Sequence, residues 1–186
     1  MLVYTAAVGS SAERFFTALV DLYAVVYAEL PYREGPEQVA GFRESLPGEA
    51  GRRGFGMIAA EDEGLLVGAT YGWTMSAGTW WSRSDQEPPS EIREVDKFAV
   101  LEWMVHPHWR GVGIGAELLR RLLSHRPERY ATLAANPASN ARRIYRRTGW
   151  RQVATSTLPW GPPMDLLVTP MPATGEPSAT VSNASS

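Results

Sequence analysis

The chain has 186 residues, of which 44% are hydrophobic, enough for a single domain with a sizeable core. Its net charge of −2 provides no basic footprint for nucleic acid, and no apolar run approaches the roughly 20 residues that span a bilayer. The absence of cysteine excludes disulfides, thiolate metal sites and acyl-cysteine intermediates.

The first 50 residues predict a strand followed by two helices. Leu2 to Val8 is strand-like, and Ser10 to Glu13 has capping-box form ahead of an apolar helical face that ends at Pro31. A second, peripheral helix is predicted from Pro36 to about Leu46. No positively charged segment precedes a long apolar stretch, so we expect no signal peptide and a cytoplasmic location. The face of the first helix comprises Phe15, Leu19, Tyr23, Val26, Tyr27 and Leu30.

The next segments predict a β-hairpin and then an irregular loop. Phe55 to Ala60 and Leu65 to Met75 flank an acidic turn, and the glycines in the second strand indicate a bulge or close packing. The segment from Ser76 to Ser90 has no regular pattern. Its pair Trp80-Trp81 either folds onto its own loop or forms the wall of a substrate site.

A strand, a glycine turn and a helix then follow one another directly. The apolar run Phe98 to Val105 predicts a buried strand, which the sequence around Pro107 ends. Alternate glycines at 111, 113 and 115 lead into an amphipathic helix that begins near Ile114. Free amides at such a helix start form an anion site suited to a phosphate, although a tight turn without a ligand has the same pattern.

Two nucleotide motifs are poor matches to this turn. A P-loop requires Gly-Lys-Ser/Thr, but Ala116-Glu117 follows the last glycine. A dinucleotide fingerprint directly follows its strand and has an acidic residue about 20 positions later. Here a five-residue loop separates Val105 from Gly111, and Tyr130 to Ala135 contains no carboxylate.

The remaining chain predicts three further strands and one helix. Tyr130 to Ala135 is a short strand, and Asn136-Pro137 is predicted to begin a helix that Gly149 ends. Trp150 to Thr155 and Met164 to Thr169 are the last two strands. Residues 1–170 therefore form the predicted domain, and 171–186, rich in Pro, Ala, Thr and Ser, form a predicted disordered tail.

The sequence Arg110-x-x-Gly113-x-Gly115 resembles the R/Q-x-x-G-x-G/A acetyl-CoA motif of the GNAT superfamily of N-acetyltransferases. The preceding strand resembles the family's fourth strand, and Asn140 to Trp150 resembles its later helix and turn, with a spacing shift at the alanine. The resemblance implies an α/β (mixed α+β) fold. It comprises a twisted, mixed sheet of about seven strands with about four helices, splayed between the fourth and fifth strands.

The same resemblance implies an acetyl-CoA-dependent N-acetyltransferase that moves the acyl group directly to a primary amine in a ternary complex. The fourth strand would pair with the pantetheine arm, and the glycine turn would hold the pyrophosphate. A catalytically silent acyl-CoA-binding or regulatory module is the alternative. The implied cofactor-binding residues are Trp103, Met104, Val105, Arg110, Gly111, Val112, Gly113, Ile114, Gly115, Ala116 and Asn140.

Tyr145 and Glu102 are the candidate catalytic residues. Tyr145 matches the family's tyrosine that protonates the leaving thiolate, whereas a purely packing role is the alternative. Glu102 is the carboxylate within the predicted fourth strand, where burial without a partner is costly. Strand alternation directs it away from Leu101, Trp103 and Val105 unless a bulge intervenes. Asp96, Glu94 or a water chain are the other candidate bases.

The acceptor is a small-molecule or peptide amine in this interpretation. An acidic and aromatic acceptor side would favour a cationic amine, such as a polyamine, an aminoglycoside-like antibiotic or a peptide amine. The histidines lack metal-site spacing, so we predict no metal, and a homodimer is compatible with the resemblance. The acceptor-side candidates are Glu29, Asp85, Glu87, Glu91, Glu94, Asp96, Tyr23, Tyr27, Tyr32, Trp80 and Trp81.

Overall fold

A computed structural model describes residues 1–157 and 162–171. Within these ranges, seven strands form one sheet in the order β1-β2-β3-β4-β5-β7-β6, in which only β4 and β5 are parallel neighbours. None of the helices described is long and apolar enough to cross a membrane. The strands are β1 (Leu2–Ala7), β2 (Gly56–Asp62), β3 (Leu65–Met75), β4 (Lys97–Val105), β5 (Tyr130–Ala135), β6 (Arg151–Ser156) and β7 (Met164–Pro170).

Helices cover both faces of the sheet, as the mixed α/β prediction requires. One core lies under α1 and α2, and a second core lies under α4 together with Tyr145 of α5. Met171 donates its backbone N–H to the carbonyl of Arg129 (2.9 Å), whereas the rest of the predicted tail, 172–186, lies outside the described residues. The helices are α1 (Phe16–Tyr27), α2 (Pro36–Ala50), α3 (Ser90–Arg93), α4 (Ile114–Leu123) and α5 (Asn140–Arg147).

The two N-terminal helices differ from prediction at their ends. A 3-10 helix, Gly9–Phe15, precedes α1, which ends at Tyr27, so Leu30 lies in the following turn and is 71% exposed. The second helix continues past its predicted end, because Phe42, Leu46 and Ala50 recur every four residues and are all buried in the core under α1. This packing outweighs the donor that Pro47 removes from the last turn.

The predicted hairpin is confirmed as β2 and β3, and its glycines have the expected roles. A bulge lies at Ala60/Glu61, next to Gly68. At Gly72, a Cβ atom would stand 2.1 Å from the carbonyl oxygen of Ala99 and 2.9 Å from the Phe98 ring. Glycine is therefore required where β3 and β4 approach most closely.

The central strand, turn and helix are confirmed, as is the splay between β4 and β5. Hydrogen-bonded pairing between these strands joins Lys97–Val100 to Tyr130–Leu133. Past these residues, 101–105 and 134–135 are not paired with each other in the described sheet. The unpaired edges form a V-shaped gap at the carboxyl ends of both strands.

The predicted start of the last helix at Asn136-Pro137 was wrong. Asn136 instead forms a turn, in which its Oδ1 accepts the N–H of Ala138 (2.9 Å) and its carbonyl accepts the N–H of Ser139 (3.0 Å). Ser139 is the N-cap of α5, since its hydroxyl accepts the N–H of Arg142 (3.2 Å). The stop at Gly149 is confirmed by its positive φ of 86°.

The contact at Gly72 leads to a stability prediction. Gly72→Ala should lower the free energy of unfolding by about 2 to 3 kcal/mol, because the new methyl group overlaps the β4 backbone. The matched control is Gly41→Ala in α2, where a Cβ atom meets nothing within 4 Å, and where alanine should stabilise by about 0.5 to 1 kcal/mol. Urea unfolding measures both; equal effects would contradict the close approach.

Candidate functional site

The glycine turn before α4 leaves the helix start open. Gly111 and Gly113 have φ angles of 82° and 90°, and no heavy atom lies within 4 Å of the position that a Cβ atom would occupy at either residue. Gly113 is the N-cap, and no side chain caps the first turn of α4. The amides of Ile114, Gly115 and Ala116 are therefore available to an anion at the positive end of the helix dipole.

The third glycine of the motif serves a different purpose. A Cβ atom at Gly115 would stand 3.0 Å from the Trp103 ring, and the Trp103 indole N–H donates to the Gly115 carbonyl (2.8 Å). The Trp103 indole therefore packs directly against the start of α4. This contact fixes the side chain that stands in the gap between β4 and β5.

A cavity of about 490 Å³ opens in front of this turn. Nine of the eleven predicted cofactor-binding residues line it, but Met104 and Val112 do not, since Met104 is buried in the core and Val112 is 72% exposed. Several other lining residues, on α1, on α5, in their flanking turns and in the turn after β4, were not predicted from the sequence. Of these, only the N-cap Ser139 carries a recognisable signal, a serine before a helix. The missed residues include Val26, Trp109, Ser139, Ala141 and Ile144.

Arg110 connects two walls of this cavity. Its Nε donates to the carbonyl of Val105 (3.1 Å), and its Nη1 donates to Glu29 Oε2 (2.6 Å). Both charged side chains are about half exposed. The Arg110 guanidinium is therefore held at the cavity, between the carboxyl end of β4 and the turn after α1.

A second, smaller cavity of about 50 Å³ lies deeper in the gap between the strands. It brings together both predicted catalytic residues, Glu102 and Tyr145. Its remaining walls come from β4, β5, α5 and the turn after α1. The two cavities are adjacent, since they share the lining residues Tyr27, Tyr32, Trp103, Ser139 and Ala141.

A β-bulge determines where Glu102 points. Tyr71 pairs with Glu102 and Gly72 pairs with Val100, which leaves Leu101 as the extra residue of β4. Leu101 packs on the α1 side of the sheet and Trp103 on the α4 side. Glu102 lies on the α1 side with Leu101, where it meets Tyr27. The expected opposition to Trp103 and Val105 is found, whereas the opposition to Leu101 was wrong because of the bulge.

Burial changes the acid–base properties of Glu102. Desolvation raises the pKa of its carboxyl to about 8, although a hydrogen bond from the Tyr27 hydroxyl to Oε2 acts in the opposite direction. The nearby carboxylates of Glu34 and Glu49 raise the pKa further. At neutral pH a carboxyl with this pKa is ionised in a minority of molecules, and the ionised form is a stronger base than an ordinary carboxylate.

Tyr145 lies on the other side of the small cavity. Its ring packs between Trp103 (5.3 Å) and Trp150 (5.4 Å), and its side chain is only 5% exposed. Burial raises the pKa of the hydroxyl well above its ordinary value, with smaller contributions from Tyr32 and Glu102. The phenol therefore stays protonated and can act as a proton donor.

Most of the acidic acceptor-side candidates do not reach either cavity. Glu87 pairs with Arg93 (2.7 Å) and Asp96 with Arg53 (2.6 Å). Asp85 accepts the backbone N–H of Thr155 (2.8 Å) and so attaches its loop to β6. Only Glu29, Tyr27 and Tyr32 of that predicted set line the cavities among the described residues, and Tyr23, Glu91 and Glu94 do not.

The tryptophan pair has a structural role in the loop. Trp80 donates to Ser84 Oγ (3.2 Å), within its own loop. Trp81 donates to Thr132 Oγ1 (2.9 Å) and so attaches the loop to β5. Neither indole lines the two cavities of the described chain. These contacts favour the interpretation in which the tryptophan pair packs on its own loop and does not form the wall of a substrate site.

A protein-family model matches the part of the chain that contains β4, α4, β5 and α5. Residues 79–160 match the family model for the acetyltransferase (GNAT) domain. A search of curated proteins gave no match. Solved structures with this fold include PaiA N-acetyltransferase from Thermoplasma acidophilum in complex with coenzyme A (11% identity, TM-score 0.63). They also include PH1933 from Pyrococcus horikoshii (19%, TM-score 0.64); both alignments cover 91% of this chain and 99% of the other.

A third structure is YncA, a putative acetyltransferase from Salmonella typhimurium with acetyl-CoA. It is 14% identical, with a TM-score of 0.55, over 97% of this chain and 99% of that one. At such identities, these likenesses establish the shared fold. They agree with the mixed sheet and the gap between β4 and β5.

The pKa of Glu102 leads to a prediction about stability and pH. A carboxyl whose pKa is about 8 when folded and ordinary when unfolded holds its proton more tightly in the folded state. Wild-type stability should therefore fall between about pH 5 and pH 8, by about 2 to 4 kcal/mol, and level off above that range.

The neutral variant Glu102→Gln should lose this decline while keeping an acceptor for the Tyr27 hydroxyl. Urea unfolding of both proteins at a series of pH values provides the comparison. Parallel stability curves for wild type and Glu102→Gln would mean that Glu102 titrates as an ordinary carboxyl.

Proposed function

Since residues 79–160 match the family model for the acetyltransferase (GNAT) domain, we propose that the chain is a GNAT acetyltransferase that transfers an acetyl group from acetyl-CoA directly to a primary amine. The observation that carries this proposal is the pair of adjacent cavities. The larger is bordered by the open start of α4, and the smaller contains a carboxyl and a phenol. A donor in one and an acceptor in the other would meet at the gap between β4 and β5.

The donor would occupy the larger cavity. The amides of Ile114, Gly115 and Ala116 would bind its diphosphate, with Arg110 as the adjacent cation. The free edge of β4 at 103–105 would hydrogen-bond the pantetheine arm, and Asn140 would contact it from the first turn of α5. The presence of CoA in the PaiA structure and of acetyl-CoA in the YncA structure supports this choice of donor.

Glu102 and Tyr145 would then provide the two proton transfers. An acceptor amine arrives protonated, and the Glu102 carboxylate takes a proton so that the nitrogen lone pair can attack the thioester carbonyl. The bond from carbon to sulfur breaks, the leaving thiolate takes a proton from the Tyr145 hydroxyl, and the nitrogen, which becomes an amide, returns its second proton to the Tyr145 phenolate. Burial keeps the Tyr145 phenol protonated, so its proton is in place when the thiolate forms. No covalent enzyme intermediate is needed.

The acceptor is proposed to be a primary amine that is cationic before reaction, on a small molecule or at a peptide terminus. The phenol rings of Tyr27 and Tyr32 provide cation–π attraction for an ammonium group, and Glu102 adds charge attraction in its ionised form. The structural neighbour solved as the NatC complex bound to Gag peptide and CoA is compatible with a peptide acceptor. A thiol-release assay over diamines, aminoglycosides and peptides tests these classes.

Removal of the proposed acid should slow chemistry without weakening donor binding. Tyr145→Phe should lower kcat by about 10² to 10³, since the thiolate then leaves without a positioned proton donor. Tyr4→Phe is the control, because Tyr4 lies on the edge strand β1 under Arg121, remote from both cavities. A Tyr145→Phe enzyme with unchanged kcat in the thiol-release assay would exclude the catalytic role.

A second prediction concerns the diphosphate site. Gly113→Glu should weaken CoA binding at least about 30-fold, because a carboxylate at the helix start competes with the diphosphate. Gly64→Glu is a matched control, since Gly64 has a similar φ of 82°, equally open surroundings and a position in the β2–β3 turn. Titration calorimetry with CoA should find normal affinity for Gly64→Glu. Equal CoA affinities of the two variants would contradict the proposed diphosphate site at the start of α4.

A further inference from the structure

Two tyrosines on α1 each donate a hydrogen bond to a carboxylate. Tyr27 donates its hydroxyl to Glu102 Oε2, and Tyr23, one turn earlier, donates to Glu34 Oε2. Their rings are 4.4 Å apart, so the two phenols share a similar environment. However, only Tyr27 lines the cavities, whereas Tyr23 packs in the core against Phe42 at 4.0 Å.

The hydrogen bond from Tyr27 leaves one oxygen of Glu102 for other chemistry. No donor to Oε1 is found among the described residues. Because Glu102 lines the small cavity, Oε1 is the carboxyl oxygen left for a group that enters this cavity. The main chain at this point is also fixed, since Thr70 Oγ1 donates to the Glu102 carbonyl (2.7 Å).

We infer that Tyr27 is a positioning residue, which holds Oε2 of Glu102 so that Oε1 faces the acceptor amine. This inference rests on the proposed function of Glu102 as the base. It assigns α1 a part in catalysis, because Tyr27, the last residue of this helix, contacts the residue of β4 that directly follows the bulge. The bulge and the helix together determine the direction in which the carboxylate points.

The other ionisable groups around Glu102 act differently from Tyr27. Glu34, in the turn after α1, and Glu49, on α2, raise the pKa of Glu102 by their charge. Tyr71 of β3, Tyr32 of the turn after α1 and Tyr145 of α5 feel the charge of Glu102, and burial raises the pKa of each of them. Among the described residues, Tyr27 is the side chain that donates a hydrogen bond to the Glu102 carboxylate.

This difference determines the expected result for Tyr27→Phe. Loss of a donor that favours the ionised carboxylate should raise the pKa of Glu102 by about one pH unit. The acid limb of the kcat/KM profile should move to higher pH by the same amount. Tyr23→Phe, which removes a phenol hydroxyl that donates to a different carboxylate, should leave the position of that limb unchanged.

A direct measurement of the titration separates the inference from the proposed function. Carbon-13 NMR of carboxyl-labelled glutamate follows Glu102, whose signal is identified by its loss in Glu102→Gln. The signal should titrate at higher pH in Tyr27→Phe and at the wild-type value in Tyr23→Phe. An unchanged titration in Tyr27→Phe would overturn the inference, even in a fully active acetyltransferase.

Two further outcomes remain decisive. If no amine is acetylated by the wild type, the proposed function fails, and the NMR titration still tests the link between Tyr27 and Glu102. If Tyr27→Phe does not fold, 3-fluorotyrosine introduced at position 27 keeps the ring and strengthens the donor. The Glu102 titration and the acid limb should then both move to lower pH, and no movement would refute the positioning role.

Discussion

The parallel pairing of β4 and β5 ends after Val100 and Leu133, and the arrangement of the site depends on this break. Leu101 is the extra residue of a bulge, which changes the register of β4 against β3 immediately beyond the last β5 pair. From that point β4 has hydrogen-bonding groups on its β5 side that no strand of the described ranges pairs with. A gap of this kind allows a ligand to complete the sheet where a strand would otherwise continue.

Side chains from both faces of the sheet meet in that gap. Trp103 reaches it from the α4 side and is fixed by its hydrogen bond to the Gly115 carbonyl. Glu102 reaches it from the α1 side and is fixed by Tyr27. Because consecutive residues of one strand point to opposite faces, a single short segment supplies both the wall of the larger cavity and the carboxyl of the smaller one.

The sequence allowed prediction of those features that depend on local pattern. The β4 apolar run, the alternate glycines and the α4 apolar face predicted the central unit, and the motif spacing predicted most of the residues that line the larger cavity. Features that depend on tertiary packing were not predictable in the same way. The extension of α2 past Pro47 depends on α1, and the start of α5 depends on Asn136 hydrogen-bonding its own turn.

The orientation of Glu102 shows the limit most clearly. Strand periodicity predicts that successive side chains lie on opposite faces of a sheet. A one-residue bulge breaks this alternation, so Leu101 and Glu102 lie on the same face. No local sequence pattern at Leu101 indicates the bulge. The acidic residues of 85–96 were misleading for a related reason. Charge composition identifies carboxylates near a region of the chain, whereas arginines distant in sequence neutralise some of them, as Arg53 does for Asp96.

The central claim is that the unpaired edge of β4 and the open start of α4 bind one acyl-CoA molecule together. Hydrogen–deuterium exchange of the folded protein, with and without CoA, tests this claim directly. We predict that amide exchange slows in the segments 103–105 and 114–116 at the same CoA concentration. Protection of neither segment at saturating CoA, or protection confined to a different part of the sheet, would contradict the account.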